Sequence, residues 1–258
     1  MKRLAFLLLT IFPLLIGAST PATAQTASPD APSQDPSAVL TQIDKVLNAP
    51  EDMEAREAMT LIENDGTRKT REVRLYQKGS DLRLVQFLAP ADIRGVGFLR
   101  RSADQLYLYL PAFRKVRRIA SSATREDFVG TDFTYEDLAQ SRYADDYRAT
   151  DLRVEGDQYV LEVVPRPEAD VSYDRLTLRA DTANFVLRRV EYYRDDTPVK
   201  VMTVDDVTQI RGYWIGQRME MTDRRSGHRT VLELSEVTFD QGLSEDLFSE
   251  RYLKRPIR

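Results

Sequence analysis

The residues best suited to acid–base or nucleophilic chemistry are few. The chain has one histidine, His228, and no cysteine. His228 follows Ser226 and Gly227 in a predicted turn, without the carboxylate and nucleophile partners that a catalytic triad requires. One histidine and no cysteine also leave no transition-metal cluster with recognisable ligand spacing. We therefore expect His228 to be an ordinary exposed turn residue, and we expect no catalytic residue, no metal site and no cofactor.

Carboxylates are the remaining acid–base candidates. They occur as Glu126–Asp127, Asp132, Glu136–Asp137 and Asp205–Asp206. A glycosidase needs two carboxylates at a set distance on facing elements, and the sequence does not fix the distance between these. The chain has 41 acidic residues, so such pairs arise by chance, and a solvated acidic face is the favoured interpretation. A hydrolase is accordingly the least favoured function.

A cluster of cations is more unusual, because the net charge of the chain is -4. The cluster consists of Arg100, Arg101, Arg114, Lys115, Arg117 and Arg118. One interpretation is surface pairing with the acidic residues 126–137, where an exposed pair contributes about 0–1 kcal/mol. The other is contact with a lipid head group or an anionic membrane, for which the predicted residues are Arg114, Lys115, Arg117 and Arg118.

One helix precedes the elements that would position these residues. Asp35 is a suitable N-cap and Pro36 a suitable first helical residue. Leu40, Ile43 and Leu47 then recur at helical spacing and form one apolar stripe.

From Glu54 onward the apolar residues alternate with a period of two, and turn signals such as Asn64-Asp65-Gly66 separate the runs. About eleven to twelve strands in one run predict a single large curved antiparallel sheet, a half-open β-barrel. The strand 105–110 is apolar on both faces, which predicts that another part of the chain covers each face.

The long break in the strand pattern, residues 120–140, predicts a loop and a short helix lying on the sheet; we call these residues the lid segment. Its predicted contact residues are Phe128, Phe133, Tyr135 and Leu138. A mainly β fold whose curved sheet is closed by the first helix and this segment could enclose an apolar cavity. The residues predicted to line it are Phe98, Leu106, Leu108 and Leu110. Periodicity alone slightly favours a core filled by side chains.

The first 24 residues have the three parts of a cleavable secretory signal. Lys2 and Arg3 precede an apolar run, Leu4 to Ile16, and small residues follow up to Ala24. That run is shorter than the about 20 residues of a membrane-spanning helix. Residues 25–35 are poor in apolar side chains and are predicted to be a disordered linker, followed by one domain over 36–258.

The export signal predicts a periplasmic location. Without cysteine the protein cannot be a lipoprotein, and its fold must rest on burial instead of disulfides. No later segment is long and apolar enough to be a transmembrane helix. Loss of Lys2 and Arg3 lowers the net charge from -4 to -6, which argues against nucleic-acid binding.

Three segments together resemble a known family: GFLR at 97–100, LYLYLPAFRKVRRI at 106–119 and FVGTDFTYEDL at 128–138. The chain is similar to outer-membrane lipoprotein-sorting proteins, a LolA-like branch of periplasmic proteins, most clearly over 71–256. The resemblance implies a half-open antiparallel β-barrel, closed by helices, with a hydrophobic cavity for acyl chains. It also implies service to an RND-type lipid exporter.

These observations predict a monomeric periplasmic carrier or chaperone that holds the acyl chains of a lipid or lipoprotein. Its expected partners are an inner-membrane donor and an outer-membrane acceptor. The alternative is a sensor with the same fold, which binds an envelope lipid and reports to a membrane protein without transport.

Overall fold

The computed structural model describes residues 35–257, so the predicted signal peptide and nearly all of the predicted linker lie outside the described residues. The α-helices in that range are α1 (Pro36–Leu47), α2 (Tyr135–Ala139), α3 (Tyr143–Asp146) and α4 (Glu250–Leu253). The strands are β1 (Asp52–Ile62), β2 (Arg68–Lys78), β3 (Leu82–Ala89), β4 (Gly97–Ser102), β5 (Gln105–Leu110), β6 (Lys115–Arg118), β7 (Tyr147–Glu155), β8 (Gln158–Pro165), β9 (Arg175–Asp181), β10 (Leu187–Arg194), β11 (Thr197–Ile210), β12 (Tyr213–Asp223) and β13 (Arg229–Phe239). Within residues 35–257, no helix has the length and apolar character needed to cross a membrane.

All of these strands form one antiparallel sheet in the order β6-β5-β4-β3-β2-β1-β13-β12-β11-β10-β9-β8-β7. Neighbouring strands are consecutive in sequence except where β13 returns to pair with β1. The single curved antiparallel sheet is therefore confirmed, with thirteen strands instead of about eleven. The edge strands are β6 and β7, and the chain between them contains the lid segment. The sheet is open, and this connection spans from one edge to the other.

Helix α1 is fixed at its start by a cap and along its length by burial. The Asp35 carboxylate accepts a hydrogen bond from the Ser37 amide, as predicted for an N-cap. Leu40 and Ile43 are buried, whereas Leu47 is 41% exposed. Asp44 accepts hydrogen bonds from the amides of Tyr143 and Ala144. These bonds attach α1 to the start of α3.

Strands β4 and β5 are covered on both faces, as the apolar pattern of residues 105–110 predicts. On the inner face, which carries α1 and the lid segment, Phe98 and Leu106 belong to the main core. On the outer face, Leu99 and the partly buried Tyr107 belong to a second core. That core is completed by Phe248 and Leu253 of the C-terminal segment, a cover that the sequence analysis did not identify.

Candidate functional site

The lid segment rests on the inner face through a group of aromatic rings. The ring of Phe128 lies 5.7 Å from those of Phe87, Phe98 and Tyr135, measured between centroids. Phe128 is fully buried, and Tyr135 lies 6.1 Å from Phe98. Contacts at these distances and tilts are favourable for aromatic pairs. The lid segment therefore fills the space above β3 and β4.

Beside this aromatic group is a pocket of about 300 Å³, which we call the inner pocket. It is bordered by the end of α1, the lid segment and strands β1–β3 and β10–β13. Its apolar lining includes Met59, Val73, Leu75, Met202, Met219, Leu232 and Leu234. The volume lies at the lower end of the range found for small-molecule sites, and the lining is of the predominantly apolar kind such sites have.

The rim of the inner pocket carries exposed apolar side chains. Leu47, at the end of α1, is 41% exposed, and Trp214, at the start of β12, is 39% exposed. Pro50 and Ile215 also border the inner pocket. Exposed apolar residues at the mouth of an apolar pocket are typical of ligand-binding or interaction surfaces.

The predicted site residues do not all border this pocket. Phe98 and Leu106 lie in the closed core, and the partly buried Leu108 and Leu110 pack against it. These four share the inner face, as predicted, but none contributes to the pocket wall. In the lid segment, Phe128, Phe133 and Leu138 border the pocket, whereas Tyr135 packs on Phe98. The pocket lies beyond β4 and β5 because the lid rings occupy the space over those strands.

Sequence reasoning missed the lining from β1, β2 and β11–β13. One signal for it was available: Met202, Met219 and Met221 occur on the inner face of two neighbouring strands. Methionine is flexible and polarizable, and it is favoured at surfaces that must adapt to varied apolar partners.

The ionisable side chains that border the inner pocket include Glu57 and Arg83. Loss of solvation raises the pKa of Glu57 to about 7, and the positive charge of Arg83 only partly opposes that rise. Burial lowers the pKa of Arg83 to about 10, helped by the nearby Arg100. The Arg83 guanidinium donates to the Leu138 carbonyl at 2.7 Å and to the Gln77 side-chain oxygen at 3.0 Å. Arg83 thus ties the lid segment to β3.

A second set of polar contacts fastens the lid segment at its middle. Lys200 Nζ donates to the Asp132 carbonyl at 2.7 Å and lies 3.2 Å from the Asp137 carboxylate. Asp137 also accepts from the Tyr173 hydroxyl at 3.0 Å and forms a capping box with Thr134 at the start of α2. The side chains of Lys200 and Asp137 are only 5% and 2% exposed. Breaking a buried pair of this kind is strongly destabilising.

His228 is not the exposed turn residue that the sequence analysis predicted. Its side chain is 17% exposed, and Nδ1 lies 2.7 Å from the Asp132 carboxylate. The same carboxylate accepts from the Thr230 hydroxyl at 2.7 Å. Asp132 is 96 residues from His228 and 98 residues from Thr230 in the sequence. Because only the tertiary fold brings them together, no local spacing in the sequence indicated this contact. Within residues 35–257, no hydroxyl hydrogen-bonds to the imidazole ring, and the arrangement fastens the lid segment to β13.

The acidic residues of the lid segment are likewise not a solvated face. Asp132 is 6% exposed and the Asp137 side chain is 2% exposed. Glu136 accepts from the amide and hydroxyl of Ser172, and burial raises its pKa. These three carboxylates accept hydrogen bonds within the fold, whereas Glu126 and Asp127 are exposed as predicted.

The predicted head-group residues lie at the β6 edge of the sheet. Lys115 and Arg117 sit opposite Leu110 and Leu108 of the inner face, and Arg118 sits opposite Tyr107 of the outer face. Arg114 follows Phe113, which is 69% exposed. Among residues 35–257, none of these four cations forms an ion pair with the acidic segment 126–137; Arg118 instead lies 3.8 Å from the Asp104 carboxylate.

Arg100 is separate from this edge. It is 4% exposed and donates to the carbonyls of Ser80 and Asp81 and to the Ser141 hydroxyl. It therefore positions the chain after the lid segment and offers no surface charge. The cationic surface comprises the remaining residues of the cluster.

The fold and sequence match known proteins over most of the chain. A family model described as "Uncharacterized protein" matches residues 79–255. A Vibrio parahaemolyticus domain named as an outer membrane lipoprotein-sorting protein is 29% identical, with a TM-score of 0.76, and the match covers 84% of this chain and 97% of that one. A DUF1329 family protein from Desulfovibrio piger is 27% identical with a TM-score of 0.77, at 84% and 97% coverage.

A LolA superfamily protein from Nitrosomonas europaea shares the fold at 19% identity and a TM-score of 0.71, with 85% of this chain and 100% of that one covered. No curated protein matches the chain. The resemblance drawn from residues 97–138 is confirmed by these solved structures.

Proposed function

From the premise that this chain belongs to the family whose model matches residues 79–255, and from its likeness to a solved outer membrane lipoprotein-sorting domain, we propose that it is a periplasmic carrier of acyl chains. It holds the chains of a lipid or lipoprotein in the inner pocket, away from water, between an inner-membrane donor and an outer-membrane acceptor. The observation that carries this proposal is the apolar inner pocket itself, covered by a fastened lid segment and rimmed by exposed Leu47 and Trp214.

Burial alone supplies the affinity in this proposal. Each methylene moved from water into the pocket contributes about 0.8 kcal/mol, so ten would contribute about 8 kcal/mol. Holding therefore needs no catalytic group. Release needs an acceptor that offers a better apolar site or favours an opened pocket, because a ligand shifts a conformational equilibrium only by its differential affinity.

The lid segment is the element that would have to move. Arg71 and Arg83 donate to its carbonyls at Val129 and Leu138, both at 2.8 Å or less. Such bonds fix the backbone of the segment at two places while leaving its apolar side chains over the pocket. An acceptor that displaces these bonds would uncover the cargo.

The edge surface of Phe113, Arg114, Lys115, Arg117 and Arg118 would meet the membrane. An exposed aromatic ring beside several cations suits an anionic lipid surface, where each cation contributes about 1 kcal/mol. An RND-type exporter is the donor class that the family resemblance supports, and the carrier works as a monomer.

The decisive experiment is native mass spectrometry of the mature protein, purified from periplasm without detergent, followed by lipid extraction. The expected result is a lipid or acylated peptide bound at close to one per protein. Leu234→Trp places a large ring in the pocket wall and should abolish both this species and the uptake of added fluorescent fatty acid. Val154→Trp, at a site that is 53% exposed and away from the pocket, is the matched control.

A lipid-free mass together with no uptake by the unmodified protein would overturn the proposal. Bound lipid that never transfers to acceptor vesicles, even with a donor present, would favour the sensor function over the carrier function.

A further inference from the structure

One side chain of the inner pocket does not suit a purely hydrocarbon ligand. Glu57 lies at the middle of β1, on the inner face, and borders the pocket. Its cross-strand neighbours are Val73 of β2 and Leu234 of β13, both apolar. Met59 borders the same pocket two residues along the strand. An acidic residue thus stands between two apolar cross-strand partners.

The Glu57 carboxyl has no protein partner in the part of the chain that the structure describes. Among residues 35–257, no side chain or amide hydrogen-bonds to it, and no cation lies within ion-pair distance. The facing cation is Arg83, whose guanidinium is engaged with Leu138 and Gln77 instead. A carboxyl taken out of bulk water without a partner is costly, and a leucine or methionine at this position would avoid the cost.

Glu57 is open to the inner pocket. The residue is partly exposed, and the space that it faces is the inner pocket. Gln77 and Gln217 border the same space and add polar positions to it. A partner for the carboxyl must therefore come from whatever occupies the pocket.

We infer that Glu57 recognises a hydrogen-bond donor of the cargo, an O–H or N–H group attached next to the acyl chain. This inference rests on the proposed function and narrows its ligand class to amphiphiles that carry such a donor inside the pocket. A glycerol hydroxyl and an amide N–H share this chemistry. A simple ester has no donor and would leave the ionised carboxylate unpaired, so the ligands are compared at pH 8, above the pKa of Glu57.

The test is a comparison of three ligands with the same acyl length: monolaurin, which carries hydroxyls, dodecanamide, which carries an N–H, and methyl laurate, which has no donor. Binding is followed by the fluorescence of Trp214, the one tryptophan of the chain, which stands at the pocket rim. The unmodified protein should bind at least one donor ligand about tenfold more tightly than methyl laurate. The donor ligand that binds more tightly shows whether the donor that Glu57 recognises is a glycerol hydroxyl or an amide N–H.

Glu57→Leu should lose this preference and bind methyl laurate at least as tightly as the unmodified protein does. Glu57→Gln keeps an acceptor oxygen and should retain part of the preference. Glu54→Leu, which removes a carboxyl from the same strand outside the pocket, should change nothing.

An unchanged preference in Glu57→Leu, or no preference in the unmodified protein, would overturn the inference and leave the carrier proposal intact. Failure of all three ligands to bind the unmodified protein would instead overturn the carrier proposal, and this inference with it.

Discussion

The Nδ1 atom of His228 lies 2.7 Å from the carboxylate of Asp132, and this contact joins the turn before β13 to the lid segment. Thr230 donates to the same carboxylate, and its hydroxyl accepts from the Asp132 amide. Lys200 holds the carbonyl of the same residue. One residue of the lid segment is therefore bound through its amide, its carbonyl and its side chain.

Asp132→Ala should loosen the lid segment. It leaves the Thr230 hydroxyl and the His228 ring without their acceptor, at a cost of about 1–3 kcal/mol for each buried unsatisfied group. We expect faster amide hydrogen exchange over residues 128–139 and a lower free energy of unfolding. The control is Asp127→Ala, at an exposed position of the same segment. Equal exchange in the two variants would show that the Asp132 contacts do not hold the segment.

The stability of the empty protein should fall with rising pH because of Glu57. Its pKa is about 7 in the fold against 4.5 ordinarily, so the fold favours the protonated form. Below about pH 4.5 Glu57 does not lower the free energy of unfolding. The loss grows as the pH rises and is complete above about pH 7, where it is on the order of 3 kcal/mol.

Glu57→Gln removes this cost. In urea denaturation its free energy of unfolding should exceed that of the unmodified protein by about 3 kcal/mol at pH 8 and by less than about 1 kcal/mol at pH 5. Because the variant and the unmodified protein are compared at the same pH, the contributions of all other titrating groups to the free energy of unfolding cancel. A difference that is equal at both pH values would mean that the carboxyl is well solvated in the fold.

A side chain at position 97 should force the buried Leu253 side chain of the C-terminal segment to shift. A methyl group there would lie 2.5 Å from Leu253 Cδ1. Gly97→Ala is expected to lower the free energy of unfolding by about 1–3 kcal/mol through overpacking. Leu253→Ala removes the clash at the price of a cavity, so the double variant should be less destabilised than the sum of the two single ones. Additive effects would place Leu253 away from β4.

Reversal of charge at the β6 edge should weaken membrane binding. Arg117→Glu combined with Arg118→Glu is expected to reduce affinity for phosphatidylglycerol-rich vesicles by about 2 kcal/mol or more, roughly thirtyfold. Co-sedimentation measures this. Arg68→Glu with Lys69→Glu makes the same charge change at exposed positions of β2. An equal loss of vesicle affinity in the two double variants would indicate a response to net charge alone. Unchanged affinity in the Arg117 and Arg118 variant would show that the β6 edge does not bind the membrane.

Much of this fold follows from local properties that the sequence alone displays. The cap at Asp35 and Pro36, the turn at Asn64-Asp65-Gly66 and the two-residue alternation depend on neighbours in the chain. These patterns determined the mainly β class, the first helix and the meander of strands. The doubly apolar strand at 105–110 further required a cover on each face, and both covers exist.

Only the tertiary structure decided where the pocket lies and what faces it. The rings of Phe128 and Tyr135 fill the space over β3 and β4, which moves the open volume to the opposite strands. His228 and Asp132 meet across 96 positions, and Glu57 is isolated by the packing of its neighbours. Alternation within a strand tells which face a side chain occupies, but side chains from distant segments compete for the space above that face. That competition is a property of the packed chain, and no single stretch of sequence contains it.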